Sequence, residues 1–131
     1  MRKFRILIAD DNDLIRAFLV RLIHESDVFE VVGEATNGYA AVEMTKRLSP
    51  DAVIMDVSMP QMDGIEASRA IHSEFPKINV IGYSMLDKSE AGMRMLEAGA
   101  VGYFSKTDPW DEVIAEIHRV LAPEPTASIT A

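Results

Sequence analysis

Several short apolar runs in this sequence end on residues that could do chemistry together. Asp10 and Asp11 follow residues 4–9, Asp56 follows residues 52–55, Ser84 follows residues 78–83, and Lys106 stands shortly after residues 101–104. Carboxylates that share a site repel one another and raise one another's pKa, so a fold that holds these three acids together is a candidate cation site. Oxygen ligands without a neighbouring His or Cys favour Mg²⁺ or Mn²⁺ over zinc.

A divalent cation beside a carboxylate is suited to phosphoryl transfer. A carboxylate can accept a phosphoryl group and form an acyl phosphate, which makes Asp56 the natural nucleophile. Lys106 supplies a point charge for the phosphoryl oxygens, and the Ser84 hydroxyl can donate a hydrogen bond to the product. We therefore predict catalytic roles for Asp56, Lys106 and Ser84. Because each of these residue types is also common on surfaces, the prediction depends on their meeting at one edge of the fold.

The elements that would position these residues alternate along the chain. Apolar runs predict strands at 4–9, 29–34, 52–55, 78–83 and 101–104, and helical spacing predicts helices at 14–23, 40–48, 65–75, 89–98 and 109–121. Asp13 and Asp108 are the predicted N-caps of the first and last helices. This alternation predicts an α/β domain with a five-stranded parallel sheet, flavodoxin-like order 2-1-3-4-5, and helices on both faces. Such sheets bind ligands beyond the carboxyl ends of their strands, here where strands one and three adjoin.

Charge and composition argue against several other functions. The sequence carries 13 basic and 21 acidic residues, a net charge of −8, and has no basic stripe to neutralise nucleic acid phosphates, so direct nucleic acid binding is not expected. The absence of cysteine fits a cytoplasmic location, and the N-terminal apolar run is too short for a membrane span. Residues 1–122 are expected to form one domain, and residues 123–131 a flexible tail or linker.

Four motifs give the sequence a resemblance to the response-regulator receiver domains of two-component signalling, the CheY-like superfamily. The motifs are Ile8–Asp11, Val53–Gly64, Gly82–Ser84 and Gly99–Lys106, and the resemblance extends over about residues 4–121. It implies a phosphorelay switch in which a histidine kinase or a phosphotransfer protein phosphorylates Asp56 with Mg²⁺. The only enzymatic activity that it implies is self-catalysed phosphorylation and dephosphorylation of that aspartate.

The resemblance also assigns roles at the acceptor. Asp11 and Asp56 resemble the direct carboxylate ligands of Mg²⁺, and Asp10 resembles the residue that acts partly through water. The backbone carbonyl of Ser58 would be a further metal ligand. Lys106 is similar to the residue that pairs with the phosphoryl group or with the acceptor aspartate.

A second group of residues resembles the part of the family that responds to phosphorylation. Ser84 is similar to the switch hydroxyl that moves toward the phosphoryl group, and Tyr103 to the aromatic residue that turns inward with it, although a half-buried core aromatic is an equal interpretation. Position 85 is usually small in the family, and Met85 would narrow access to Asp56. The face built from helix four, strand five and helix five would carry the response and could form a homodimer.

Two other functions stay open at the level of sequence. One is a pseudo-receiver that binds a partner without phosphorylation, and the other is a Mg²⁺-dependent phosphatase with an aspartyl-phosphate intermediate. The phosphatase is disfavoured because Ser58 stands where such enzymes carry a second carboxylate. The domain could serve alone, in a DNA-binding regulator or in a hybrid histidine kinase.

Overall fold

The strands form one parallel sheet whose order places the first and third strands side by side. The computed structural model describes residues 2–85 and 88–122 of the chain. The strands are β1 (Phe4–Ala9), β2 (Phe29–Ala35), β3 (Ala52–Asp56), β4 (Asn79–Ser84) and β5 (Gly102–Ser105). Their order is β2-β1-β3-β4-β5, and every neighbouring pair is parallel. The predicted fold class and strand order are confirmed, and the predicted strand ends differ by at most one residue.

Helices cover both faces of the sheet. They are α1 (Asp13–His24), α2 (Gly38–Leu48), α3 (Gly64–Glu74), α4 (Met93–Glu97) and α5 (Trp110–Leu121). Because side chains alternate along a strand, Ile6, Ile8 and Ile54 pack with α1 and α5, whereas Leu7 and Val53 pack on the other face with α2, α3 and α4. The buried strands therefore read as continuous apolar runs, as expected for a parallel sheet covered on both sides.

Side-chain caps define where α1 and α2 begin, and the predicted cap of α1 is wrong. The Asn12 side chain caps α1 by accepting a hydrogen bond from the Ile15 N–H at 3.0 Å, so Asp13 is the first helical residue and not the cap. Asp13 instead forms an ion pair with Arg16 at 2.7 Å. Asn37 caps α2 in the same way, through the Ala40 N–H at 2.8 Å.

The last helix also begins later than predicted. Pro109 occupies the N-cap position of α5, and the helix starts at Trp110. The Asp108 carboxylate is engaged elsewhere, because it accepts a hydrogen bond from the Ser105 N–H at 2.9 Å. Asp108 thus closes the turn after β5 and is not the cap.

The predicted fourth helix is divided in the structure. A π-helical turn, Lys88–Gly92, leads into α4, whereas the apolar spacing predicts one α-helix over residues 89–98. The predicted tail, residues 123–131, lies outside the described residues. Among residues 2–85 and 88–122, none of the helices has the length and apolar composition that a membrane crossing requires.

Candidate functional site

Three carboxylates meet at the carboxyl edge of the sheet, between β1 and β3. Asp10 follows β1 and is fully buried, Asp56 ends β3 and is 3 % exposed, and Asp11 faces solvent. One carboxylate oxygen from each lies within 4.8 Å of the others. Strand alternation explains the meeting, because Asp10 shares the face of Ile8 and Asp56 shares the face of Ile54, and these two strand residues are paired in register.

Lys106 joins the two buried carboxylates. Its Nζ lies 3.1 Å from Asp10 Oδ2 and 3.3 Å from Asp56 Oδ2, and its side chain is only 8 % exposed. A hydrogen bond from the Lys106 N–H to the Ser84 carbonyl, 2.9 Å long, fixes the lysine beside the end of β4. A buried charge needs a partner of opposite sign, and this ammonium group serves both acids.

Tyr83 belongs to the site, although the sequence predicted it only as a strand residue. Its hydroxyl donates a hydrogen bond to Asp10 Oδ2. Lys106 Nζ lies 4.8 Å from the centre of the Tyr83 ring, and the ring packs on Phe104 with centroids 5.3 Å apart. A signal was available, since a tyrosine in a buried strand needs a hydrogen-bond partner for its hydroxyl.

The surroundings give the two buried acids opposite properties. Burial, followed by the charge of Asp10, raises the pKa of Asp56 to about 7, while Lys106 opposes the rise. Burial also acts to raise the pKa of Asp10, but the hydrogen bonds from Tyr83 and from the Asn12 N–H, together with the interactions of Asp56 and Lys106, bring the pKa below its ordinary value. Burial, together with the charge of Asp10, raises the pKa of Tyr83, which keeps its hydroxyl a donor.

The remaining predicted residues surround this cluster at different depths. Ser84 is buried at the end of β4 and pairs in register with Ser105, while Ser58 is exposed two residues after Asp56. Tyr103 is half-buried, and its hydroxyl is buried. Its ring lies on the opposite face of the sheet from Asp56, beside Gly82.

Met85 follows the last residue of β4 and lines a cavity together with Lys106. The side chain is 64 % exposed and lines a cavity of about 290 Å³. The other lining residues are Leu14, Ile15, Phe18, Lys106 and Trp110. The structure therefore brings Asp10, Asp11, Asp56 and Lys106 into one cluster, and Met85 shares a cavity lining with Lys106.

The donor set fits a hard divalent cation. Carboxylate oxygens are the ligands that Mg²⁺ and Mn²⁺ prefer, and such ions keep several waters, which suits a cluster with one exposed member, Asp11. Asp10 is held for this role, because its Oδ1 accepts the Asn12 N–H at 2.9 Å and its Oδ2 accepts the Tyr83 hydroxyl. Hydrogen bonds from residues around a metal site hold its carboxylate ligands in the orientation that metal binding requires.

The acidic cluster and the buried lysine lie at the β1/β3 edge, which is where doubly wound parallel sheets of this strand order bind their ligands. Residues 6–118 match the family model of the response regulator receiver domain. The chain therefore belongs to the response regulator receiver domain family, whose members are signalling switches that accept a phosphoryl group.

Two curated relatives and one solved structure show the extent of the likeness. Response regulator GacA of Pseudomonas viridiflava is 36 % identical over 118 residues, which cover 90 % of this chain and 55 % of that protein. Protein-glutamate methylesterase/protein-glutamine glutaminase 4 of Myxococcus xanthus (strain DK1622) is 40 % identical over 103 residues, covering 78 % of this chain and 29 % of that protein.

The solved structure is the response regulator domain of Thermotoga maritima CheB. It superposes with a TM-score of 0.85 at 30 % identity and covers 95 % of this chain and 100 % of that domain. The likeness to this isolated domain is therefore nearly complete, whereas the chain spans about half the length, or less, of the curated relatives compared above.

Proposed function

We propose that Asp56 accepts a phosphoryl group from a histidine kinase or a phosphotransfer protein, with Mg²⁺ or Mn²⁺ held beside it. The cation would be held by Asp10, Asp11, Asp56 and the backbone carbonyl of Ser58. The observation that carries this proposal is the position of Lys106, whose Nζ lies within 3.3 Å of both buried acids. This arrangement supplies a nucleophile, metal ligands and a fixed cation at one edge.

The transfer step uses the carboxylate of Asp56 as the nucleophile. An oxygen of Asp56 forms a bond to phosphorus while the bond from phosphorus to the donor atom breaks, and the leaving group takes the electron pair. When bound, the divalent cation neutralises charge on the phosphoryl oxygens. Lys106 reaches the same region and offers a second positive charge to those oxygens. Hydrolysis of the acyl phosphate restores the free carboxylate of Asp56.

The response to phosphorylation is proposed to pass through Ser84 and Tyr103. Ser84 ends β4, and its carbonyl accepts the Lys106 N–H, so the proposal has its hydroxyl donate to a phosphoryl oxygen beside Lys106. Tyr103 lies on the α4 side of the sheet, beside Gly82 and Gly92, with its hydroxyl already buried. A shift of Ser84 would therefore change the packing of β5 against α4.

The surface formed by α4, β5 and α5 is proposed as the output face and as the interface of a homodimer. It carries exposed apolar side chains, because Met93, Leu96 and Val101 are 62 %, 52 % and 47 % exposed. Exposed apolar groups of this kind mark interaction surfaces when they lie together.

Met85, on the approach to Asp56, is proposed to slow the entry of phosphodonors and of water.

The proposed setting is cytoplasmic, with residues 1–122 as the receiver domain and residues 123–131 as a linker or tail. The curated relatives extend well beyond this domain. An output domain in the same protein, such as a DNA-binding domain or the core of a hybrid histidine kinase, is therefore compatible with the proposal. The receiver domain itself is proposed to act on no substrate other than its own aspartate.

Intact-mass measurement tests the proposal. After incubation with acetyl phosphate and Mg²⁺, the wild-type protein should gain one phosphoryl mass, and Asp56→Asn should gain none. Asp63→Asn is the matched control, because Asp63 caps α3 by accepting the Glu66 N–H at 2.9 Å and asparagine caps helices equally well. A wild-type protein that gains no phosphoryl mass would favour the pseudo-receiver. An Asp56→Asn variant that gains a phosphoryl mass would refute the assignment of Asp56 as the acceptor.

A further inference from the structure

The hydrogen bond from the Tyr83 hydroxyl to Asp10 indicates a role for Tyr83 that phosphoryl transfer does not itself require. We infer that Tyr83 is a positioning residue of the metal site, which holds Asp10 through its hydroxyl and supports Lys106 through its ring. This inference rests on the proposed Mg²⁺ site. It assigns a function to a strand residue that lies beside Asp56 in the sheet and is proposed neither to accept the phosphoryl group nor to bind the metal.

The hydrogen bonds of Asp10 show how closely this carboxylate is held. Its Oδ1 accepts the Asn12 N–H at 2.9 Å, and its Oδ2 accepts the Tyr83 hydroxyl and lies 3.1 Å from Lys106 Nζ. A third anchor acts on the backbone, because Arg16 Nη1 donates to the Asp10 carbonyl at 2.8 Å. The orientation of the carboxylate is therefore set from both of its oxygens.

Of the two donors to Asp10 Oδ2, Tyr83 is the one that belongs to Asp10 alone. Lys106 is shared, since its Nζ also lies 3.3 Å from Asp56 Oδ2, where the phosphoryl group would be received. A lysine that turns toward a phosphoryl group holds Asp10 less firmly. The Tyr83 hydroxyl belongs to a buried side chain of β4 that packs on Phe104, so we expect its hydrogen bond to Asp10 to persist through such a change.

The chemistry of a phenol suits this position better than that of a cation. A neutral hydroxyl orients a metal-binding carboxylate without adding positive charge that would repel the incoming divalent ion. Outer hydrogen bonds of this type fix the ligand and strengthen metal binding, and their removal typically lowers metal affinity by about 10–100-fold.

The ring of Tyr83 supports the second function. Lys106 Nζ lies 4.8 Å from the ring centre, within the range of a cation–π contact, and Phe104 packs against the same ring. Tyr83 thus links Asp10, Lys106 and the core beneath them. Its ring is 1 % exposed, so its position is set by packing and not by solvent.

The test is the Tyr83→Phe variant, which removes the hydroxyl and keeps the ring beneath Lys106. Tyr39→Phe is the matched control, because Tyr39 lies on α2 and is 57 % exposed. The Kd for Mg²⁺ is obtained from thermal unfolding over a series of Mg²⁺ concentrations, and the number of bound Mn²⁺ ions from electron paramagnetic resonance. Unfolding in EDTA measures stability without metal.

We expect the Kd for Mg²⁺ to rise at least about tenfold in Tyr83→Phe and to stay unchanged in Tyr39→Phe. A merely structural hydroxyl would lower the melting temperature in EDTA and leave the Kd as in the wild type, and that result would overturn the inference. A wild-type protein that binds no Mg²⁺ would remove the proposed metal site and the inference with it. The two failures are therefore distinguished by the wild-type titration.

Proton NMR of the wild-type protein provides a second test, which does not depend on the folding of a variant. The hydroxyl proton of Tyr83, held by a buried carboxylate, should give a slowly exchanging downfield resonance. Addition of Mg²⁺ should shift this resonance, because the cation draws charge from the same carboxylate. A Tyr83 hydroxyl resonance whose chemical shift stays the same at saturating Mg²⁺ would contradict a positioning role.

Discussion

Asp10 and Asp56 are neighbours in the interior, yet their surroundings prepare them for different tasks. Asp10 receives hydrogen bonds at both oxygens, which favours its ionised form and suits a permanent ligand. Asp56 is buried next to that charge and keeps its proton to a higher pH, with a pKa of about 7. An incoming cation or phosphoryl group would therefore meet one acid that is already ionised, Asp10, and one whose protonation state depends on its surroundings, Asp56.

The raised pKa of Asp56 predicts a pH dependence of stability for the metal-free protein. A carboxyl whose pKa rises on folding, here from 3.8 to about 7, contributes stability below about pH 4 that is lost as the pH rises toward 7. At about 1.36 kcal/mol per pH unit, the loss is at most about 4 kcal/mol. In urea unfolding with EDTA, wild type should lose stability relative to Asp56→Asn between pH 4 and 7.

The contribution of Asp10 falls in a separate window. Its pKa is lowered on folding, so the stability that it contributes is lost only as the pH falls below about 4. Equal pH profiles for wild type and Asp56→Asn between pH 4 and 7 would contradict the raised pKa of the acceptor.

Lys106 is predicted to act in phosphoryl transfer more than in metal binding. In Lys106→Met, loss of the charge should slow phosphorylation by acetyl phosphate at least about tenfold, equivalent to about 1.4 kcal/mol of lost electrostatic stabilisation. Affinity for Mg²⁺ should not fall, because a cation that competes for Asp10 and Asp56 has been removed. Rates come from intact-mass time courses, with the exposed Lys77→Met as control. Equal rates would exclude the assigned role.

At the scale of elements, the junction between β3 and α3 controls the position of the acceptor. Gly64 begins α3, and its N–H donates to the Val57 carbonyl at 2.8 Å. A Cβ at this position would collide with the Asp56 carbonyl and lie 3.0 Å from Val57 Cα. Glycine therefore allows the helix to begin directly beside the strand that carries the acceptor.

Gly64→Ala is predicted to lower the free energy of unfolding by about 1–3 kcal/mol, the usual cost of overpacking, and to slow phosphorylation of the folded protein. Asn37→Ala supplies a control of similar stability, since loss of the α2 cap should cost about 1 kcal/mol and leave the site intact. Urea unfolding gives the free energies and intact mass the rates. Equal slowing in both variants would mean that the rate reflects stability alone.

The order of the elements could be predicted from the sequence because strand and helix periods differ and turn residues separate them. What failed were choices between adjacent candidates. Asn12 and Asp13 are both good caps, and only the geometry of the chain after β1 decides for Asn12. The Asp108 carboxylate accepts the Ser105 N–H instead of capping α5, and the π-helical turn Lys88–Gly92 is a local change of helix type within a segment predicted as one α-helix.

The site was predictable to the extent that it depends on strand ends. Parallel strands bring their carboxyl ends to one edge, so Asp10, Asp56 and Lys106 could be placed together from the order of elements alone. The contact of Tyr83 with Asp10 could not, because these residues lie on strands separated by β3. Their meeting depends on the register of two strand pairs and on the direction of a long side chain.

At the scale of the whole molecule, the proposed metal site predicts that stability depends on a divalent cation. Binding to the folded state alone should stabilise the protein by about 1.4 kcal/mol at ten times the Kd. Asp11→Asn should lose most of this gain at the same Mg²⁺ concentration, because the exposed carboxylate is the proposed ligand and takes no part in core packing. Thermal unfolding with and without Mg²⁺ measures the shift, with the exposed Asp27→Asn as control. An undiminished shift in Asp11→Asn would contradict the ligand assignment.

The measurement that tests the central claim most directly locates the phosphoryl group on the chain. Borohydride reduces an acyl phosphate to an alcohol, so a phosphorylated aspartate becomes homoserine, which peptide mass mapping identifies. After treatment with acetyl phosphate and Mg²⁺, homoserine should be found at position 56 and should be absent when Mg²⁺ is replaced by EDTA. Homoserine at Asp10, at Asp11 or at any other aspartate, with Asp56 unchanged, would contradict the assignment of Asp56 as the acceptor.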